Sequence, residues 1–410
     1  MKRTLAGAPP GRRNDRVHGL TMTSMETADA LRRLSDSGLR GRGGAWFEAH
    51  RKWRAVLAEG SPTVVIANGG EGEPGSVKDR FIMRTRPTEV LAGLDLARRT
   101  LGAARGYVYL KGSFDEENRR LQAAIDAAGL GGTITIHRGD DTYVGGEETA
   151  LLESIEGRVA WPRPKPPRPV SVGLFGGPTL VQNVDTLSRV PAALRLGAGF
   201  GAVDTLTLTL WGDVRSPGAY EVAIGRTIAS VIENEGGGAT GSIGLVFPNG
   251  AHSMPLGPAD LDTPLDPKAL AARGSALGTA SILVLEADTS AYSILESIAR
   301  FFERESCGQC PPCVLGTVNL RSLVTGDRPP TIRLTPHTAL RETASFMSMH
   351  GYCGHARAGA AAVTGLFGRF EDEVMARLRG ASAPSGKRLR DPFAPGSVER
   401  AALDAFLGRL

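Results

Sequence analysis

The sequence predicts an α/β domain, followed by a compact β-rich module and then a helical C-terminal part. Three observations carry this reading. Through residues 23–203, short apolar strand patterns alternate with helical periodicities, which argues for an α/β layer. Near residue 204 the texture changes: Leu206, Leu208 and Leu210 alternate with Thr, the pattern of a half-buried strand, and Ser216-Pro217-Gly218 supplies a turn. Further on, Ile294, Leu295, Ile298, Phe301 and Phe302 form a helical stripe, and helical patterns continue to Leu410.

The elements follow in order. A short helix over 26–37 ends at Gly38 and leads into the glycine loop Gly41-Arg42-Gly43-Gly44-Ala45. Thr63 to Ala67 reads as a buried strand running into a polar glycine loop, Asn68 to Arg80. Pro87 to Leu101 is a helix with proline at its start, Tyr107 to Leu110 a strand, Asp115 to Ala128 a helix and Ile134 to His137 a strand. Tyr143 to Thr149 combines an aromatic, a glycine turn and paired acids at a helix start, and Pro162 to Pro169 is a proline-rich connector. The module over 204–287 holds one helix near Ile228 to Glu233. The expected divisions are a basic tail (1–22), the α/β domain (23–203), the β-rich module (204–287), a helical bundle (288–380), and a loop with a last helix (381–410).

Composition narrows the class. A chain of 410 residues that is 41% hydrophobic buries a sizeable core in two to four domains. No apolar run reaches the roughly 20 residues of a membrane span, so any membrane location is expected to be peripheral, through partner subunits. Much of the net charge of +5 sits in Lys2, Arg3, Arg12, Arg13 and Arg16. That tail is expected to be disordered, or to reflect an upstream start, since Met22 and Met25 can also begin a chain. Arg12-Arg13 precedes no apolar core, which argues against a secretory signal. The remaining charge is too diffuse for nucleic acid, and no recognition motif accompanies it.

The four cysteines carry the sharpest signal. Cys307-Gly-Gln-Cys310-Pro-Pro-Cys313 places a thiol at every third residue, and Cys353 is the remaining candidate. Pro311 and Pro312 are expected to prevent a regular helix there, and Gly308 to allow a sharp turn. Three thiols in one tight loop plus a remote fourth suit a [4Fe–4S] cluster. Structural zinc prefers paired CxxC arms and is the alternative. Thiols kept for metal rather than disulfides point to a reducing cytoplasm. His355 is expected beside the ligands rather than among them, and His18, His50, His137, His252, His337 and His350 show no ligand spacing.

Three glycine-acid segments read as parts of one nucleotide site. The loop at Gly41, Gly43 and Gly44 offers backbone N–H groups to a phosphate. Glu71 and Glu73 lie just past a strand end, where open α/β sheets bind ligands. Tyr143, Gly146, Glu147 and Glu148 form the third segment. Taken singly, each is equally well a solvated loop, with Glu147 and Glu148 capping a helix N-terminus.

Together and in this order, the segments resemble the NADH-binding flavoprotein subunit of respiratory complex I and the related module of NAD-linked hydrogenases and formate dehydrogenases. The anchors span roughly residues 26–375: Gly38-Leu-Arg-Gly-Arg-Gly-Gly-Ala45, Glu71-Gly-Glu-Pro-Gly-Ser-Val-Lys-Asp-Arg80, Gly146-Glu-Glu-Thr-Ala-Leu-Leu-Glu-Ser-Ile-Glu-Gly157, Pro162-Arg-Pro-Lys-Pro-Pro167, Gln182-Asn-Val-Asp-Thr186 and Glu305-Ser-Cys-Gly-Gln-Cys310. The resemblance implies an α/β flavin-binding domain, a ubiquitin-like β-grasp module of the soluble-ligand-binding type, and a C-terminal α-helical bundle with the cluster. It also implies an NAD(P)H dehydrogenase in which FMN turns a two-electron donor into single electrons for the cluster. A ferredoxin-like or [2Fe–2S] protein, or further respiratory or dehydrogenase subunits, would accept them. By position, FMN would meet Gly43, Asn68, Glu71, Tyr143, Gly146, Glu147 and Asn183. The nicotinamide nucleotide would meet Gly44, Phe47, Lys52, Glu73, Glu148 and Lys165, with Glu73 and Glu148 nearest the chemistry.

The sequence also departs from the family pattern. An aromatic expected after Trp53 is replaced by Arg54-Ala55, and one expected after Pro167 is Arg168. Losing a stacking ring costs about 0.5–1.5 kcal/mol beyond its area, so two losses weaken dinucleotide binding by roughly one to two orders of magnitude. Gly70 replaces an acid, Gly145 a cysteine and Gln182 an asparagine. Arg51, Arg54 and Arg168 raise the expectation of an NADPH 2′-phosphate partner. The competing readings are an electron relay without pyridine-nucleotide chemistry and a zinc-stabilised ligand-binding module.

Overall fold

The first of the two sheets among the described residues centres on two runs buried on both sides, with more exposed strands outward of them. Its strands are β1 (Val64–Asn68), β2 (Arg105–Lys111), β3 (Ile134–Gly139) and β4 (Thr179–Asn183), all parallel, in the order β3-β2-β1-β4. The structure, a computed structural model, describes residues 27–60, 64–326, 335–379 and 388–410. The tail expected over 1–22 and the first part of the loop expected over 380–396 lie outside the described residues. A parallel sheet is stable only when covered on both faces. Helices α1 (Thr27–Asp36), α2 (Ala49–Ala58), α3 (Lys78–Thr85), α4 (Pro87–Leu101), α5 (Asp115–Ala128), α6 (Ala150–Ile155) and α7 (Val184–Leu196) provide the cover. One face packs Val65 and Ala67 against Leu34, Trp53, Leu94 and Leu187. The other packs Val64 and Ile66 with Leu151, Leu152 and Leu174. Helices α4 and α7 cross so closely that a Cβ on Gly93 would lie 1.8 Å from the Leu187 carbonyl oxygen.

The second sheet comprises β5 (Thr205–Gly212), β6 (Gly218–Ala223), β7 (Ile243–Phe247) and β8 (Ser281–Glu286) in the order β6-β5-β8-β7. Its central pair β5/β8 is parallel, and both outer pairs are antiparallel. Helices α8 (Ile228–Asn234) and α9 (Pro267–Ala272) lie within this segment. The expectation of a half-buried β5 is corrected: Thr207 and Thr209 are fully buried, like Leu208 and Leu210. The threonine face meets the first domain instead of water, since Thr207 accepts a hydrogen bond from Arg189 and Thr209 accepts one from the backbone of Val77.

The C-terminal part comprises α10 (Ala291–Arg304), α11 (Pro311–Thr325), α12 (Pro336–His350), α13 (Gly354–Arg369), α14 (Glu371–Leu378) and α15 (Val398–Gly408). The reading that Pro311 and Pro312 block a helix is also corrected: they occupy the first turn of α11, where the missing N–H groups have no intrahelical partner anyway. The bundle does not form a separate core. Trp211, Phe247, Leu283 and Leu285 of the second sheet pack in one cluster with Ile298, Phe301, Phe302 and Phe367 of the helices. Helix α15 returns to the first domain, where Phe406 meets Phe81 and Arg84 donates to the Leu407 carbonyl.

Two glycine substitutions separate packing from backbone strain. Gly93→Ala is expected to lower stability by about 1–3 kcal/mol or more, through overpacking at the α4/α7 crossing. Gly102→Ala, with open space around it but a left-handed φ of 71°, is expected to lose only about 1 kcal/mol. Denaturant midpoints of the two variants check this, and equal losses would remove the close crossing as the cause.

Candidate functional site

The strand order decides where a ligand can sit. From β1 the chain steps outward through β2 and β3, then returns to place β4 on the other side of β1. The loops leaving β1 and β4 therefore diverge, and the crevice between them is the topological switch point at which open α/β sheets take up ligands. The last residues of the two strands, Asn68 and Asn183, are paired in register at its floor. Asn68 donates to the Gly146 carbonyl (2.8 Å) and accepts from the Gly70 N–H (3.0 Å), so it ties two of the predicted loops together. Asn183 caps α7 by accepting from the Asp185 N–H and donates to Asp79. Two adjoining cavities of about 300 and 510 Å³ open here, sharing Gly43, Asn68, Gly146, Glu147 and Asn183. Gly41, Phe47, Lys52 and Glu148 line the first. Gly44, Glu71, Glu73 and Tyr143 line the second. Lys165 reaches the site through ion pairs with Glu147 and Glu148. All three predicted segments thus converge.

The four acids are not equivalent. Glu71 turns back onto α3, accepting from the backbone N–H groups of Asp79 and Arg80 and from the Ser76 hydroxyl. Glu147 caps α6, accepting from the N–H groups of Thr149 and Ala150 while Lys165 holds its other oxygen. Both carboxylates are engaged in helix N-termini, so these residues shape the cavities chiefly through backbone. Glu148 stands between Lys52 (3.4 Å) and Lys165 (3.2 Å). Burial works to raise its carboxyl, but the two lysines hold it below the usual carboxylate range. Glu73 pairs with His252 of the second sheet's segment (2.8 Å), whose other ring nitrogen lies 3.0 Å from the Tyr143 hydroxyl. Sequence spacing gave no sign of His252, since its partners lie more than a hundred positions away.

Glycines make room for this arrangement. A Cβ on Gly146 would lie 2.3 Å from the Gly70 carbonyl oxygen. A Cβ on Gly70 would meet the Tyr109 ring at 2.8 Å, which accounts for glycine where the family pattern has an acid. Gln182 accepts a hydrogen bond from the indole of buried Trp53 (2.7 Å). Phe47 is half exposed at the lip of the first cavity. Among the described residues, Arg51, Arg54 and Arg168 line neither cavity, and Arg51 pairs with Glu48.

Beneath the crevice lies a buried ionic network. Lys78 contacts Asp79 and, at 3.9 Å, Asp185. Arg189 pairs with Asp185 (2.7 Å) and Asp204 (3.3 Å), and Arg42 pairs with Asp204 while its guanidinium lies over Trp46. Burial pushes the Asp79 carboxyl up to about 7 against the pull of Lys78, with Glu71 and Asp185 adding repulsion. Lys78, shared among three carboxylates, is held above its ordinary value despite burial.

The four cysteines lie near one another, and one of them reaches the second cavity. Gly308, with φ 81°, turns the loop between the first two thiols. Cys310 and Cys353 occupy the positions just before α11 and α13, where helix N-termini favour thiolate. Cys310, Cys313 and Cys353 are buried, Cys307 partly so, and Cys353 itself lines the second cavity. Burial pushes the Cys313 thiol up to about 12, with repulsion from the other three cysteines adding to it. Such a set is suited to a positively charged centre that holds the sulfurs as thiolates. Among the described residues, no three His, Cys, Asp or Glu side chains stand close enough to hold a single metal ion. His355 is buried beside the cysteines; burial pushes its pKa down to about 4, and its Nε2 donates to the Phe302 carbonyl.

Comparison with known proteins agrees with this geometry. Residues 34–192 match the Nuo51 FMN-binding domain, and residues 293–377 match the NADH-ubiquinone oxidoreductase-F iron–sulfur binding region. The F subunit of NADH-quinone oxidoreductase in Rickettsia bellii (strain OSU 85-389) is 35% identical over 380 residues, covering 85% of this chain and 90% of the relative. The chain belongs to the family of NADH-quinone oxidoreductase F subunits. The F subunit of Rhodobacter capsulatus is likewise 35% identical, over 87% of its length, and the F 2 subunit of Rhizobium meliloti (strain 1021) is 37% identical over 72% of its length. Among solved structures, NAD+-reducing [NiFe]-hydrogenase in the H2-reduced state superposes with a TM-score of 0.76 at 29% identity, covering 88% of this chain and 68% of that one. The air-oxidised form gives 0.76 at 30% identity, covering 93% and 66%. The [4Fe–4S] cluster expected from the cysteine spacing, and the FMN and NADH dehydrogenase chemistry that the resemblance implied, are those of this F-subunit family. No helix among the described residues is long and apolar enough to cross a membrane.

The raised Asp79 carboxyl carries a pH dependence. Between an unfolded value near 4 and the folded value of about 7, the folded state holds a proton that the unfolded state has lost. Stability from this group therefore falls as pH rises through that window, by at most about 1.4 kcal/mol per unit. Asp79→Asn is expected to flatten this part of the stability profile, measured by thermal unfolding at pH values across the window; an unchanged slope would show that Asp79 does not hold the proton.

Proposed function

We propose that this chain oxidises NADH at the switch-point crevice and delivers single electrons through its cluster to a separate redox subunit. The observation that carries the reading is the placement of Cys353: the wall of the cavity that holds Glu73 and Tyr143 also contains a cluster thiol. When bound, FMN supplies the conversion of a two-electron donor into single electrons, and the cluster accepts them one at a time. The residues proposed to hold FMN are Gly43, Asn68, Glu71, Tyr143, Gly146, Glu147 and Asn183, several of them through backbone groups. Gly41, Gly44, Phe47, Lys52, Glu73, Glu148 and Lys165 are proposed for the nucleotide, and Cys307, Cys310, Cys313 and Cys353 for the cluster. The second sheet's order, with a parallel central pair, supports reading residues 204–287 as a β-grasp module. The relatives are named as subunits, which supports an electron-accepting partner such as a [2Fe–2S] or ferredoxin-like protein, and a peripheral place on a membrane complex.

The donor proposed is NADH rather than NADPH. The cations that reach the crevice, Lys52 and Lys165, are balanced by Glu147 and Glu148, and a 2′-phosphate brought beside them would meet compensated charge. In anaerobically purified, FMN-loaded protein, NADH is expected to bleach the flavin with a KM at least about tenfold below that for NADPH, a difference of about 1.4 kcal/mol. Equal or better use of NADPH would overturn the donor assignment, and no reduction by either would favour a relay without nucleotide chemistry. Cys313→Ser is expected to abolish the cluster's EPR signal while FMN still binds; a retained, unaltered signal would remove Cys313 from the ligand set.

A further inference from the structure

The Glu73–His252–Tyr143 contact joins two parts of the chain at the cavity wall, and nothing in the sequence motifs accounts for it. His252 follows Gly250, whose φ of 49° and close approach to Glu73 Oε1 (3.0 Å to a would-be Cβ) turn the histidine inward. The ring is mostly buried. Its Nδ1 meets the Glu73 carboxylate (2.8 Å), its Nε2 meets the Tyr143 hydroxyl (3.0 Å), and its face stacks on Tyr143 at 5.7 Å. Phe301 and Phe302 of α10 close the far side edge-on. His252 is thus held on every side, and both of its nitrogens are assigned.

Resting on the function proposed above, we infer that His252 is a positioning residue that locks Glu73 and Tyr143 onto the cavity wall and holds the proton which NADH oxidation leaves there. The balance requires such a holder. NADH gives NAD+, two electrons and one proton; the electrons leave by the cluster, and the proton stays until water takes it. The other carboxylates of this cavity are turned away from it: Glu71 and Glu147 cap helices, and Asp79, although burial raises its carboxyl to about 7, is held in the buried network by Lys78 and Asn183. Glu73 with His252 is the remaining acid–base pair on the wall. Histidine is the side chain whose ordinary charge change falls between about pH 5 and 8. The groups facing His252 are Glu73 and Tyr143 in contact and His355 across Phe302, with Glu305 beyond.

The test uses the full chain with FMN and cluster bound. The midpoint potential of the bound flavin is titrated with dithionite, without NADH, across about pH 5 to 8. Wild-type protein is expected to show a break where one further proton accompanies reduction, and His252→Gln to lose that break while binding FMN at the same stoichiometry. With NADH, kcat of the variant is expected to fall about tenfold with KM within about twofold, a loss of transition-state rather than ground-state binding. Glu73→Gln, which keeps His252, is expected to move the break to lower pH, so the proposal stays testable if H252Q does not fold. A wild-type potential with no break, or the same break in H252Q, overturns the proposal. Wild-type protein that does not bind FMN overturns the flavin reading, and this inference with it.

Discussion

The crevice depends on charges that the fold has taken out of water. Arg42 comes from the glycine loop, Lys78 and Asp79 from the start of α3, Asp185 and Arg189 from α7, and Asp204 from the entry to β5. They come from four separate pieces of backbone, and all are buried except Asp204, which is partly so. Removing one partner from such a set strands the other, which typically costs about 3–5 kcal/mol. The network therefore fixes the loops relative to one another more strictly than apolar packing would, because ionic partners have few alternatives. It also joins the two sheets: Arg189 reaches Thr205, Thr207 and Glu221 of β5 and β6.

Upon this base, helix termini do much of the organising. Glu71 and Glu147 cap α3 and α6, and Asn183 caps α7, so three loops around the crevice end at satisfied helix starts. The same device recurs at the cysteines, where α11 and α13 begin immediately after Cys310 and Cys353. The positive ends of two helix dipoles thus point at the sulfurs, favouring the thiolate form that an iron–sulfur centre requires. Cys353 stands on the cavity wall because the bundle shares its core with the second sheet rather than folding apart.

The chain's departures from the family pattern become intelligible at this level. Gly70 leaves room for Tyr109, and Gln182 serves the indole of Trp53. The arginines read from the sequence as a phosphate site stand outside both cavities, because neighbouring positions on a chain say nothing about which face a loop turns inward. No feature of the structure accounts for the loss of the second stacking aromatic at Arg54.

Periodicity and spacing determined the local layer of this protein. The strands and helices read in the first domain fell within a few residues of β1–β3, α1, α4 and α5, while α2, α3, α7 and β4 were not read; the CxxCxxC loop with a distant fourth cysteine announced its chemistry, because such signals are carried by residues close together in the chain. The three glycine-acid segments were legible as one site only as a set. Tertiary structure alone decided which carboxylates are engaged in capping and which face the cavity. It buried both faces of β5, and it brought His252 to Glu73 and Tyr143 across separations of 179 and 109 positions. Those outcomes depend on how the two sheets and the bundle pack against each other, and no local pattern encodes that packing.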